Sequence, residues 1–304
     1  CHNTCPDSRL TFPLLLLNGF RPYRRTYMKK IIAALFALAV SALLSADAAS
    51  KEFKLDDELI IAEIETDVFL VTHSFPWPGN SLIVKTGKKD ILWIDTPYTP
   101  EATEIVLAWI YKTFGKDTSV TEINTGFHID NLGGNESLIK KGIPVYGSDL
   151  TCELLKKRSP ATMAKMVEWL KDEKMAKYRN VCASFKFYPP NRIFNINKEQ
   201  NIKCGNEEAV IYYPGPTHTY DNLVVYLPER KILFGGCMIV AAESNKPGFV
   251  EDGNMNAWAV SMDKLAARFK DCRTVVPGHG KTGDGSLVKH TRDVVSAAII
   301  NQKK

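Results

Sequence analysis

The sequence lacks the marks of several large protein classes. It has no internal repeat, no low-complexity tract and, after Ser50, no Pro/Gly/Ser-rich linker, which argues against solenoids, disordered assemblies and strings of domains. No G-x-S-x-G, Walker loop or dinucleotide fingerprint occurs, so nothing in the chain points to the hydrolase and nucleotide-binding classes those motifs mark. The apolar run from Ile31 to Leu44 spans about 14 residues, short of the roughly 20 needed to cross a bilayer. An excess of one charge is missing too. Six of the 39 basic residues and two of the 34 acidic ones precede position 49, which leaves 33 against 32. A near-neutral body makes nucleic acid an unexpected partner.

What is present begins with a leader. Met28 is followed by Lys29 and Lys30, the apolar run, and Ala46-Asp47-Ala48, the three-part layout of a secretory signal peptide. The expectation is a non-native upstream extension at 1–27, a signal peptide at 28–48 and one domain at 49–304. That domain is expected to be periplasmic, monomeric and without stable membrane association after cleavage. Five cysteines then remain, Cys152, Cys182, Cys204, Cys237 and Cys272, and an odd number in an exported protein asks for one thiol with a separate task. If that thiol is Cys237, the other four form zero, one or two bridges. For Cys152, inside a helix-like run, a free thiol is expected.

The segments "DVFLVTHSF", "SLIVKTG" and "DILWIDT" read as strands, rich in β-branched residues and separated by turn residues. Thr99-Pro100-Glu101 offers a helix N-cap, a proline at the first helical position and an early acid. Ala102, Ile105 and Trp109 are expected to share that helix's buried face up to Gly115. Helical spacing from Pro160 to Tyr178 precedes strands "AVIYYPG", "NLVVYLP" and "KILFGG". A helix around Trp258 to Phe269, strand "TVVPG" and a last helix near Ser286 to Asn301 follow. Strands and helices mixed in two halves predict an α/β protein, two sheets packed together with helices outside.

Chemistry-bearing residues follow the predicted strands: His128 and Asp130 after "VTEINT", His218 after "AVIYYPG", Cys237 after "KILFGG", His279 after "TVVPG". Imidazole, thiolate and carboxylate together are zinc donors. A thiol nucleophile pairing Cys237 with His279 is the rival reading, and it leaves His128, Asp130 and His218 unexplained.

The motifs "GFHIDNLGGN", "YPGPTHTYDNLVVYLPERKILFGGCMI", "GNMNAW" and "VVPGHG", in this order, resemble those of class B β-lactamases of the metallo-β-lactamase superfamily. The resemblance covers about residues 60 to 300 and implies a four-layer αβ/βα sandwich that hydrolyses β-lactams with zinc. It places one zinc pocket on Asp130, Cys237 and His279, and leaves only His128 and His218 in the other, because Gly126 stands where a leading histidine ligand is usual. One tight zinc is therefore expected, with a second weak or absent, and Gly126→His is expected to strengthen the first pocket and broaden the substrate range. Missing the leading histidine resembles the single-zinc, carbapenem-hydrolysing subclass, whereas "GPTHTYDN" and "GGC" resemble the two-zinc subclass. Glyoxalase-type and nuclease-type relatives fit poorly, since Asn131 follows Asp130 and a cysteine occupies the fourth loop.

The same resemblance assigns catalytic roles to Asp130, His128 and His218 around the attacking water, and to Asn254 at the lactam carbonyl or, alternatively, as a helix cap. Asp95 is implied to support the metal loop, or else to form a turn. Val240 stands where a substrate-binding lysine is usual, with Lys246 either a replacement or a solvated loop charge. Phe75 and Trp77 lie in a loop over the groove, where they either cover an apolar part of the substrate or serve core or turn packing, and from which His73 could swing in as a ligand. The alternatives are a hydrolase of another cyclic amide or ester, and a zinc-binding relative with little activity.

Overall fold

The computed structural model describes residues 51–302, so the expected signal peptide and upstream extension lie outside the described residues. Strands β1 (Glu52–Lys54), β2 (Leu59–Glu65), β3 (Val68–Ser74), β4 (Pro78–Lys85) and β5 (Asp90–Ile94) form an antiparallel meander. It continues in parallel through β6 (Ser119–Ile123), β7 (Val145–Ser148) and β8 (Arg192–Phe194). The second sheet has β9 (Gln200–Cys204), β10 (Glu207–Tyr212), β11 (Val224–Leu227), β12 (Ile232–Gly236) and β13 (Thr274–Pro277), ordered β13-β12-β11-β10-β9 with only β12 and β13 parallel.

Alternation along the strands produces the layers. On β5, Leu92 and Ile94 enter a core shared with Val225, Leu227 and Phe234 of the second sheet, while Ile91 and Trp93 enter a core on the opposite face. Because consecutive strand side chains point to opposite faces, strands buried on both faces give a sheet with a core on either side. Helix α1 (Pro100–Phe114) fills the outer core of the first sheet, and α7 (Met255–Arg268) and α8 (Ser286–Gln302) fill that of the second. The result is the expected αβ/βα sandwich. Short helices α2 (Ile129–Leu132) and α3 (Asn135–Lys140) follow β6, α4 (Asp149–Lys157) follows β7, and α5 (Ser159–Trp169) and α6 (Ala176–Ser184) follow α4. Among the described residues no helix is long and apolar enough to cross a membrane.

Two local expectations need correction. Thr99 does cap α1 by accepting the Ala102 N–H at 3.2 Å, but its buried face runs through Ala102, Val106, Trp109 and Ile110, and Ile105 is 39% exposed. Spacings of three and four place 102, 106 and 109 on one stripe, and position 105 falls outside it. The run from Pro160 to Tyr178 is also not one helix. Helix α5 closes at Leu170, and the Asp172 side chain accepts the Lys174 N–H at 2.9 Å to start a 3-10 turn before α6.

Candidate metal centre

Four strand ends of the two sheets deliver the site. The loop after β6 carries Gly126 to Asp130, the loop after β10 His218, the end of β12 Cys237 and the end of β13 His279. Glycine lets the last two loops touch. Gly236 adopts φ 54°, and a Cβ on Gly278 would lie 2.7 Å from the Cys237 nitrogen, so a larger residue would part the loops joined by the Gly278 N–H and the Gly236 carbonyl at 2.7 Å.

Asp130, Cys237 and His279 converge, with one donor atom from each within 4.8 Å of the others. Asp130 Oδ2 lies 2.9 Å from Cys237 Sγ and 3.0 Å from His279 Nε2, and the sulfur and that nitrogen are 3.9 Å apart. The loop of His279 is pinned across the sandwich by Asn80, whose Nδ2 donates to Pro277 O at 3.0 Å and Gly280 O at 2.8 Å. His279 Nδ1 lies 2.8 Å from Pro78 O. A carbonyl only accepts, so Nδ1 carries hydrogen and Nε2 is the atom turned to the carboxylate.

Protons hold this cluster together. Burial first, and then the Asp130 carboxylate, keep the Cys237 thiol protonated well above its ordinary range. Desolvation lowers the His279 pKa, and the hydrogen bond and charge of Asp130, together with the Pro78 carbonyl, outweigh it, so the pKa is raised. Burial pushes Asp130 up, but His279, His128 and Cys237 hold its carboxyl well below the usual range. A divalent cation would take over the role of these protons, which is how thiolate–imidazole–carboxylate sites couple binding to proton release. Mixed S, N and O donors fit zinc, and three of them leave a fourth position open.

Behind the cluster, Asp95 is buried at φ 56° and accepts Thr125 N at 2.7 Å, Thr125 Oγ1 at 2.7 Å and Asn131 Nδ2 at 2.9 Å. Burial pushes its pKa up to about 8 against these donors. Asn131 Nδ2 also lies 3.5 Å from Cys237 Sγ, so Asp95 is linked to a candidate ligand through one amide.

His128 and His218 stand beside the cluster, outside the converging set, with ring centroids 5.1 Å apart and edge to face. His218 is buried, its Nδ1 lacks a partner, and burial followed by His128 lowers its pKa to about 3. An unpartnered buried nitrogen next to the candidate ligands fits a bound group there. The place of the absent side chain at Gly126 is filled: a Cβ would meet Asn222 Nδ2 at 2.7 Å and Asn131 Oδ1 at 2.9 Å.

The donors open into a cavity of about 720 Å³, lined also by Trp77, Met163, Met166, Trp169 and Phe249. Trp77 is 44% exposed and meets Trp169 edge to face at 6.2 Å. Phe75, by contrast, is buried against His73, Tyr98 and Tyr178. His73 is held there too, its Nδ1 accepting the Tyr98 N–H at 3.2 Å, which removes it as a replacement ligand. Lys246 is the one Lys or Arg among the residues lining the cavity; Val240 also lines it, with its side chain packed against the core of the second sheet. Asn254 Oδ1 accepts the Ala257 N–H at 3.1 Å as the cap of α7, and Asn254 is not among the lining residues. All five cysteines among the described residues are free. Asp252, 3.0 Å from His128 Nε2, and Arg158 and Thr162, which donate to Asp252, lie outside the quoted motifs, and no spacing in the chain signals them.

A half-buried carboxylate, a buried thiol and an exposed imidazole converging at the shared rim of two facing sheets form a group that could hold a divalent cation beside an open cavity. Residues 74–279 match the family model of the metallo-beta-lactamase superfamily. A metallo-beta-lactamase type 2 from Pseudomonas aeruginosa is 33% identical over 275 residues, covering 89% of this chain and 96% of that protein. One from Bacillus sp. (strain 170) is 33% identical over 219 residues, covering 72% and 73%. The solved structure of a metallo-beta-lactamase from Pontibacter korlensis aligns with a TM-score of 0.65 at 30% identity, covering 78% of this chain and 99% of that one. The chain belongs to the metallo-beta-lactamase superfamily.

Proposed function

We propose that this protein is an exported, periplasmic zinc-dependent hydrolase that opens the ring of β-lactams, with carbapenems as preferred substrates. The observation that carries the reading is the convergence of Asp130, Cys237 and His279 at the floor of the cavity. The relatives named metallo-beta-lactamase type 2 support the substrate class. A zinc ion held by Asp130, Cys237 and His279 would supply Lewis-acid positive charge to the lactam as its C–N bond breaks.

The chain's own residues do the remaining work. His128 and His218 hold the attacking water, and its proton passes to one of these imidazoles or to Asp130. Lys246, at the cavity wall, binds the substrate carboxylate, the role left open by Val240. Trp77, Met166 and Trp169 cover the apolar part of the substrate and exclude bulk water. One tight zinc per chain is expected, since the first pocket offers two imidazoles and a filled space at Gly126.

The test is hydrolysis of imipenem and of a cephalosporin by the purified protein, with and without a chelator. Imipenem turnover abolished by chelator and restored by zinc is the expected result. Turnover of a lactone alone would replace the substrate class, and zinc binding without any turnover would remove the enzymatic reading.

A further inference from the structure

Four hydroxyl-bearing side chains line the cavity, those of Tyr98, Ser159, Thr162 and Ser244. Three are committed within the protein: Ser159 Oγ donates to Leu155 O, Thr162 Oγ1 to Asp252 Oδ2 at 2.6 Å, and Ser244 Oγ to Lys246 O at 3.1 Å. Tyr98 is 3% exposed, and its ring packs against His73 and Phe75, yet its hydroxyl has no hydrogen-bond partner among the described residues. The fully enclosed side-chain atoms without a partner belong to Thr103, Thr118, Glu122, His218 and Asn222. The Tyr98 oxygen is not one of them, so it keeps contact with the cavity that the residue lines.

The hydroxyl also stands close to the candidate donors. A Cβ on Gly79 would lie 2.7 Å from Tyr98 Cε2 and 3.2 Å from its hydroxyl oxygen, so the glycine leaves the space that the phenol fills. The residue before it, Pro78, holds His279 Nδ1 at 2.8 Å through its carbonyl. Burial, and then the charges of Asp130 and Cys237, keep the phenol pKa well above its ordinary value, so the group remains a donor. Withdrawing a hydroxyl from water without giving it a partner costs stability, and phenylalanine would fill the same space without that cost. An uncommitted donor kept in a cavity at such a cost fits a ligand oxygen. We propose that Tyr98 is a catalytic residue whose hydroxyl donates a hydrogen bond to the carbonyl oxygen of the bound lactam. As the oxygen of water bonds to the carbonyl carbon, the π electron pair of the C=O bond moves onto the carbonyl oxygen, and the phenol stabilises that charge while keeping its own proton. This rests on the hydrolase reading above, and it fills a role that Asn254, turned inward as the cap of α7 and absent from the cavity lining, does not.

The test is Tyr98→Phe in the zinc-loaded full chain, a change that deletes one oxygen. The readouts are kcat and KM on imipenem and on a cephalosporin, zinc per chain, and the midpoint of urea unfolding. Loss of a donor to the developing oxygen anion lowers kcat by about 100-fold, here expected with little change in KM or bound zinc and with an unfolding midpoint equal to or above that of the wild type. A merely structural hydroxyl would give the reverse, a lower midpoint with kcat preserved. Unchanged kcat, or a loss confined to KM, overturns the assignment. So does a Phe variant that is destabilised or fails to fold, since the hydroxyl would then have a partner within the protein. A wild type that hydrolyses no β-lactam overturns the hydrolase reading together with this role, whereas an active wild type matched by an equally active Phe variant removes Tyr98 alone.

Discussion

A single methyl group on Gly126 tests whether the first pocket has room for another side chain. Its backbone dihedrals are compatible with an L-residue, and at an unstrained position alanine for glycine would stabilise by about 0.4–1 kcal/mol through the unfolded chain. Here the new Cβ would fall 2.7 Å from Asn222 Nδ2 and 2.9 Å from Asn131 Oδ1. Both amides are 1% exposed and anchored: Asn131 donates to Asp95 at 2.9 Å, and Asn222 Oδ1 accepts Thr219 N at 2.8 Å and Thr217 Oγ1 at 3.2 Å. Overpacking a tight interior costs about 1–3 kcal/mol, and each displaced hydrogen bond adds about 1 kcal/mol. Gly126→Ala is therefore expected to lose about 2–3 kcal/mol of unfolding free energy in urea denaturation of the metal-free protein. Gly126→His must displace both amides and should lose more, while still holding one tight zinc by metal analysis. This reverses the expectation drawn from the motif alone, that histidine there strengthens the pocket. An alanine variant as stable as the wild type, or a histidine variant with two equally tight zinc ions per chain, would refute the packing argument.

Asp95→Asn places an amide N–H among groups that donate to the carboxylate, from Thr125 and Asn131. It should weaken zinc binding about 10- to 100-fold through the Asn131 contact to Cys237, read by competition with a chromophoric chelator; unchanged affinity would cut that link. Burial lowers the His73 pKa from 6.5 to about 4 although Glu58 opposes it, so the folded ring stays neutral where the unfolded ring takes a proton. Its contribution to stability is complete above pH 6.5 and is lost as pH falls through 6.5 toward 4, an effect of about 3 kcal/mol. His73→Asn should flatten stability against pH in that window, and an identical slope in the variant would show that His73 does not titrate in this way.

Much of the candidate site was legible because chain-local rules carry it. Alternation and β-branched content marked most strands of the two sheets, and the residues just past four of them, in glycine-rich loops, are the candidate donors. The Thr99-Pro100 start of α1 and the Asn254 cap of α7 are likewise short-range hydrogen-bond patterns. Strand β8 was not legible, since its three residues are ordered by pairing with β7 rather than by pattern. Nor was the break after Leu170, which depends on how α5 and α6 pack on Phe75 and Tyr98.

The sequence by itself determined the donor types, their order and the strand end at which they emerge, because those depend on composition and on where each strand pattern stops. Only the tertiary structure decided that Asn131 and Asn222 occupy the space beside Gly126, that His73 is locked away under Tyr98, and that Asp252 faces His128. Each of those outcomes joins residues far apart in the chain, and their distances are set by how two sheets and their loops close over one another, which no local pattern encodes.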